Sequence, residues 1–224
     1  MLQAASNLFA RKGYALTTFD EIAAAAGVSV ATVYNHFENK DGIVAALLRP
    51  DVEQILARAE RVIEHPPPDP AVAMVRMLSA YRNLGGRNWK SRELLRLTIV
   101  PTIGNTGQLT ELVQDAERRT QSQIRSLLQK MQASGQLVPH LPLADATAVI
   151  FALLNQHFAA YLTSPALTFE AMFRALSRRV QLVFDTWRAA PARARRGINC
   201  AAAAAGPSRR SARSRPAGAL PRRS

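Results

Sequence analysis

The chain has 224 residues, 48% of them hydrophobic, and a net charge of +13. That length and apolar content suit one or two globular domains and exclude a disordered or fibrous chain. A single cysteine, Cys200, excludes a disulfide framework and makes a reducing cytoplasm the expected compartment.

The charge is unevenly placed. Residues 191–224 hold nine arginines and no acid, which is +9 of the +13 and leaves +4 on the other 190 residues. Over residues 1–48, Arg11, Lys12 and Lys40 oppose Asp20, Glu21, Glu38 and Asp41, a balance of −1. A charge argument for nucleic acid therefore attaches to the tail.

Apolar residues recur at three and four throughout, so the expected class is all-α. A first helix from about Leu2 to Arg11 carries Leu2, Ala5, Leu8 and Phe9 on one side, and Gly13 ends it. Thr18 opens a second helix, because Thr18-Phe-Asp-Glu21 has the form of a capping box. Phe19, Ile22, Ala23 and Ala26 form its inner face, and Gly27 stops it in a left-handed conformation. Ser29 caps a third helix that turns Val30, Val33 and Phe37 inward and Ala31 and Asn35 outward, with Thr32 and Tyr34 on the flanks. Asn39 caps a fourth helix that reaches Glu64, with Lys40 in its first turn and a kink or break expected at Pro50.

His65-Pro-Pro-Pro-Asp-Pro70 is a clear break. Helical patterns follow at about 71–84, 89–100, 107–134, 143–163 and 168–189, with Gly85-Gly86 as a turn. The segment Leu143 to Leu162 is apolar nearly all round, yet holds Asp145, Asn155, Gln156 and His157. It reads as a buried helix of a soluble protein rather than a membrane span. In the last helix Phe169, Met172, Phe173, Leu176, Val180, Val183, Phe184 and Trp187 form one stripe, opposite Arg174, Arg178, Gln181, Asp185 and Arg188. From Pro191 the chain is Ala, Arg, Pro, Ser and Gly without period, the composition of a disordered segment. That tail is either unselected low-complexity sequence or a cationic arm that strengthens non-specific DNA association.

No catalytic set emerges. His36, His65, His140 and His157 are scattered, Cys200 lacks partners, and the glycines form no phosphate loop. The expectation is a protein that is not an enzyme and that uses no metal or cofactor. The second and third helices, joined by Ala26-Gly-Val-Ser29, the latter helix with small and polar outward residues, fit either a helix-turn-helix or an ordinary αα-hairpin.

One resemblance favours the first. Leu8 to Leu47, through Phe9, Gly13-Tyr14, Thr17-Thr18, Ile22-Ala23, Ala26-Gly27-Val28-Ser29, Thr32-Val33-Tyr34, His36-Phe37 and Lys40, closely resembles the DNA-binding region of the TetR family of bacterial transcriptional regulators. The resemblance implies a tri-helical DNA-binding domain over 1–46, an effector-binding and dimerisation domain over 47–190, and the tail over 191–224. It implies an effector-responsive regulator, most simply a repressor, that binds a palindromic operator as a homodimer. The alternative is a helical small-molecule-binding dimer with only non-specific DNA affinity. Thr18 would meet a phosphate through its amides and hydroxyl, and Ser29, Ala31, Thr32, Asn35 and His36 would lie nearest base edges or adjacent phosphates. Tyr34 and Lys40 would hold phosphates. Helical geometry alone puts His36 nearer the core edge, where it would be a hydrogen-bonded packing residue. The family's first helix is usually longer, whereas here Met1 falls within it, so the true start is expected upstream or the domain is less stable than usual.

The last two helices are expected to pair across a two-fold axis, or else their stripe serves only the monomer's core. The expected effector pocket draws on Met74, Met77, Tyr81, Trp89, Leu97, Thr98, Ile103, Leu112, Asn155, Gln156 and Phe158, a mostly apolar set suited to a hydrophobic or mixed aromatic molecule.

Overall fold

The computed structural model describes residues 1–83, 95–96 and 107–189. Among these, backbone hydrogen bonding is helical apart from one isolated antiparallel bridge between Leu137 and Arg188. The expected helix at 89–100, the Gly85-Gly86 turn and the tail lie almost wholly outside the described residues.

Three short helices open the chain: α1 (Leu2–Lys12), α2 (Phe19–Ala26) and α3 (Val30–His36). Their ends are set locally. Gly13 closes α1 with its amide on the Phe9 carbonyl. Thr18 and Glu21 form the reciprocal capping box of α2. Gly27 ends α2 at φ +66°, in the left-handed region, and Ser29 accepts from the Thr32 amide at 3.1 Å to start α3. Met1 stands at the N-cap of α1 and supplies no side-chain cap bond.

Helix α4 (Lys40–Glu64) is capped by Asn39, which accepts from the Gly42 amide at 3.0 Å. It runs through Pro50 as one helix, so of the expected kink or break the break does not occur. Proline removes only the bond that its own amide would have made to the Ala46 carbonyl. Packing on both sides of that point holds the helix: Ile43, Val44, Leu47 and Leu48 are buried before it, and Ile55, Leu56, Ala59 and Ile63 after it.

Asp69 caps α5 (Pro70–Leu78), where proline fits the first turn because that amide has no helical partner anyway. A 3₁₀ turn, Ser79–Asn83, follows. The long helices α6 (Gln108–Ala133), α7 (Leu143–Thr163) and α8 (Phe169–Trp187) complete the body. The α6–α7 connection is tied to the end of α8 by Val138 donating to the Trp187 carbonyl at 2.9 Å and Ala189 donating to Gln136 at 3.0 Å. Helix α7 is long and apolar enough to cross a membrane by length and composition. Here Ala146, Thr147, Ile150, Leu154, His157 and Leu162 are buried between α6 and α8.

The buried apolar residues form two clusters. One gathers Ala5, Phe9, Phe19, Ile22, Val33 and the first half of α4, and is extended by Leu95, Leu109, Leu112 and Leu162. The other joins the second half of α4 to α5, α6, α7 and α8, with Met74, Met77, Ile124, Leu128, Ile150 and Phe184 at its centre. Helix α4 belongs to both, so position 46/47 lies inside a continuous helix.

Candidate nucleic-acid interface and adjoining cavity

Val33 is fully buried and fixes the rotation of α3. With Val33 inward, the 3.6-residue repeat turns Ala31 and Asn35 outward. Both are exposed, as are Ser29 and His36, while Thr32 is half-buried. Tyr34 is 58% exposed, and its ring meets the edge of Phe19 at 4.6 Å between centroids. The outward surface of α3 is thus small and polar, with one phenol beside it. His36 lies outside the core, contrary to the helical count. Its ring stands 6.3 Å from that of Phe37 and no hydrogen bond ties it to the described residues. The helix ends at His36 and Phe37 turns extended, so the 100° step per residue no longer governs where that side chain points.

Four of the eight DNA-facing candidates are already engaged inside the fold, Ser29 and Thr32 with each other through hydroxyls 2.7 Å apart, and Thr18 and Lys40 with other parts of the head. The Thr18 amide donates to Glu21 Oε2 at 3.0 Å, and its hydroxyl accepts from the Glu21 amide at 3.3 Å. The Thr18 groups expected at a phosphate therefore close the helix instead. Lys12 holds the Glu21 carboxylate, and the hydrogen bond from Lys12 keeps it below the usual carboxylate range. Lys40 Nζ donates to the carbonyls of Tyr14 at 2.9 Å and Ala15 at 3.2 Å, and sits 4.6 Å from the centre of the Tyr14 ring. The Tyr14 hydroxyl donates to Asp41, and burial followed by that bond pushes its pKa well up. Lys40, Tyr14 and Asp41 thereby staple the α1–α2 loop to the start of α4. One Nζ proton of Lys40 remains for an outside acceptor.

Beside this head a cavity of about 460 Å³ opens between α4, α6 and α7. Of the expected pocket residues, Tyr81, Leu112, Asn155, Gln156 and Phe158 line it. Met74 and Met77 do not: they are 0% and 1% exposed in the packed core, because an inward-facing residue can meet a neighbour rather than a void. Trp89, Leu97, Thr98 and Ile103 fall outside the described residues. Sequence reasoning missed Leu48, Val52, Ile55 and Leu56 on α4, and Val113, Glu117 and Thr120 on α6. Their i, i+3/i+4 spacing marked them as apolar or flanking positions of helices, and nothing in it separates a cavity wall from a core.

The wall is largely apolar with a short polar chain. Tyr81 and Thr120 share a hydrogen bond of 2.5 Å between their hydroxyls, and Thr120 donates to the Ala116 carbonyl at 2.7 Å. Burial, with the nearby Glu117 charge, pushes the Tyr81 hydroxyl up to about 12 despite the bond to Thr120, so it stays protonated. Glu117, Asn155 and Gln156 are exposed residues at the cavity's edge. Leu48 belongs both to the head's core and to the cavity wall.

Comparison with known proteins agrees with this architecture. The family described as bacterial regulatory proteins, tetR family, matches residues 1–47. An uncharacterized HTH-type transcriptional regulator, YvkB, of Bacillus subtilis is 52% identical over 48 residues, which is 21% of this chain and 25% of that protein. The HTH-type transcriptional repressor KstR2 of Mycolicibacterium smegmatis is 31% identical over 64 residues, 29% of this chain and 31% of that one. The matches thus span between a quarter and a third of these curated relatives. In fold, the transcriptional regulator FadR of Bacillus subtilis, solved with stearoyl-CoA, superposes with a TM-score of 0.61 at 20% identity, covering 82% of this chain and 95% of that one. Residues 1–47, the three opening helices and the start of α4, are thus similar to the DNA-binding region of bacterial regulatory proteins of the tetR family, and the fold likeness extends over the rest of the described chain.

Proposed function

We propose that the protein is an effector-responsive transcriptional repressor that binds a near-palindromic operator as a homodimer. The observation that carries this reading is α4. It contributes Ile43, Val44, Leu47 and Leu48 to the core under α3, and Leu48, Val52, Ile55 and Leu56 to the cavity wall. A molecule that wedges α4 from α6 must move the platform on which α3 stands. The coupling of two sites through one element is the physical content of allostery here. Asn35, Ala31 and Thr32 would approach base edges, Ser29 and His36 adjacent phosphates, and the Tyr34 hydroxyl the backbone. Two α3 helices would sit roughly 34–36 Å apart, one turn of DNA.

The domain reading is a head over 1–46, a body over 47–190 and a tail over 191–224. The protein is not an enzyme on this reading and works where the DNA is, in the cytoplasm. The effector is mainly apolar, with a group that hydrogen-bonds near Tyr81 and Thr120. Glu117 at the cavity's edge favours a neutral or cationic molecule over an anionic one. FadR of Bacillus subtilis, which shares this fold, was solved in complex with stearoyl-CoA, a ligand with a long apolar chain.

The test begins with selection of bound sites from random-sequence DNA, followed by fluorescence anisotropy on the selected duplex. Both Tyr34→Phe and Asn35→Ala are expected to fold normally. Asn35→Ala should lose about 1–3 kcal/mol of sequence discrimination, whereas Tyr34→Phe, which removes a backbone contact, should weaken binding to all duplexes alike. Lys40→Met is expected to weaken binding as well, but it also frees the α1–α2 loop, so it discriminates less. A second reading, a small-molecule-binding dimer with only non-specific DNA affinity, is favoured by the head's charge of −1 and by the internal use of Lys12 and Lys40. Recovery of no common motif, with equal affinity for unrelated duplexes, would decide for it.

A further inference from the structure

A second, smaller cleft of about 250 Å³ lies on another side of α4. Arg58 and Val62 of α4 line it together with Arg76 of α5 and Ser79 and Ala80 of the 3₁₀ turn. Two arginines from two helices therefore line one small space, the exposed Arg76 and the partly buried Arg58. Arg58 Nη1 is buried and has no hydrogen-bond partner. A buried donor without an acceptor is rare in folded proteins and costs stability.

The acids of α4 do not supply that acceptor. Glu53 makes a bidentate bond to Arg119, and Glu60 accepts from Gln123, both on the α6 side of the helix. Glu60 lies about 200° around the helix from Arg58 at 3.6 residues per turn. Asp51 is on the Arg58 side, but its Oδ2 is also buried without a partner, and it forms no ion pair with Arg58. Burial pushes the Asp51 carboxyl up more than the Arg58 charge pulls it down. Asp51 is thus a nearby charge that offsets Arg58 without meeting its Nη1 donor, and the residues that line the cleft itself include two arginines and no acid.

We infer that this cleft binds the oxyanion group of a small molecule, held by Arg58 and Arg76 between α4 and α5. A planar guanidinium presents paired N–H donors that match the two oxygens of a carboxylate or phosphate. The Ser79 hydroxyl already donates to the Arg76 carbonyl at 2.6 Å, so its oxygen acts as a spacer and Arg58 and Arg76 carry the recognition. A bound anion would bridge α4 to the turn whose next residues include Tyr81 of the larger cavity. This inference does not depend on the DNA reading.

The test is thermal unfolding of the full chain in potassium phosphate, in potassium succinate and in potassium chloride at equal ionic strength. Phosphate or succinate at about ten times its Kd is expected to raise Tm saturably by roughly 3–6 °C over chloride. Arg58→Met is expected to lose that rise; its own Tm in chloride carries no weight in the test, because the substitution removes an unpaired donor but also leaves Asp51 without its neighbouring charge. Arg76→Gln, an exposed site, gives the same loss with no risk to folding. Asp51→Asn is expected to enhance the rise. A rise in the wild type that both arginine variants retain would assign it to the Arg-rich tail and overturn the inference, as would no rise beyond chloride.

Discussion

Gly27 shows how one residue shapes the head. Its φ of +66° is left-handed, and a Cβ added there would meet nothing within 4 Å. The cost of Gly27→Ala is therefore backbone strain alone, about 1 kcal/mol, and Gly27→Asn should cost less. Urea unfolding of the two variants checks the order, and equal stability of Gly27→Ala and wild type would contradict it. Lys40 makes the opposite point. The motif assigns it to phosphate, and the fold gives it two carbonyls and a ring before any phosphate arrives. Caps were legible because their partners lie within four residues. The partners of Lys40 are 25 and 26 residues away, and no local pattern encodes them.

Between elements, α6 grips α4 along one face. Arg119 bonds Glu53 at 2.6 and 2.9 Å, Gln123 donates to the Leu56 carbonyl at 2.9 Å, and Lys130 donates to the Ile63 carbonyl at 2.8 Å. These contacts all lie beyond Pro50, so an effector would displace the first half of α4 more readily than the second. A double-mutant cycle of Glu53→Gln and Arg119→Met should give a coupling of about 0.5–1 kcal/mol, the range for a well-formed exposed pair. No coupling would show that the pair contributes nothing to the grip.

Asp69 links two further elements. It caps α5 through the Val72 amide at 3.0 Å and receives Arg188 from the end of α8 at 2.7 and 3.2 Å. Burial alone would push its carboxyl up, but the Val72 amide and the Arg188 guanidinium outweigh it and hold it below the usual range. A depressed folded-state value means stability that is complete above the ordinary carboxylate value near 4 and is lost as pH falls through the folded value. Asparagine caps as well as aspartate, so Asp69→Asn removes only the ion pair to Arg188; it should cost about 0.5–1 kcal/mol at pH 7, and the difference from wild type should vanish at low pH. A difference that persists unchanged at pH 2 would rule out the ionised carboxylate as its source.

At the scale of the whole molecule, α7 and α8 leave apolar surface uncovered. Val149 is 42% exposed and Leu182 69% exposed, with Ala148, Ala152 and Ala160 also outward on α7. The proposed homodimer would cover this surface. Val149→Glu with Leu182→Glu should shift sedimentation from dimer to monomer while the helical circular dichroism of the wild type is kept. A dimer that survives both charges would place the interface elsewhere.

The sequence by itself determined the boundaries of the first four helices and the last three, but not the end of α5, which stops at Leu78 where a helix to 84 was expected. It also determined the caps at Thr18, Ser29 and Asn39, the left-handed stop at Gly27 and the inward side of α3. Each of these follows from interactions within a few residues and from a 3.6-residue repeat. Tertiary structure alone decided that α4 survives Pro50, that Lys40 is a staple, that His36 faces outward and that Met74 and Met77 fill core while Val52 and Thr120 line a cavity. A periodic pattern says which way a side chain points. Whether it meets another side chain, a carbonyl or empty space depends on elements brought together from far along the chain.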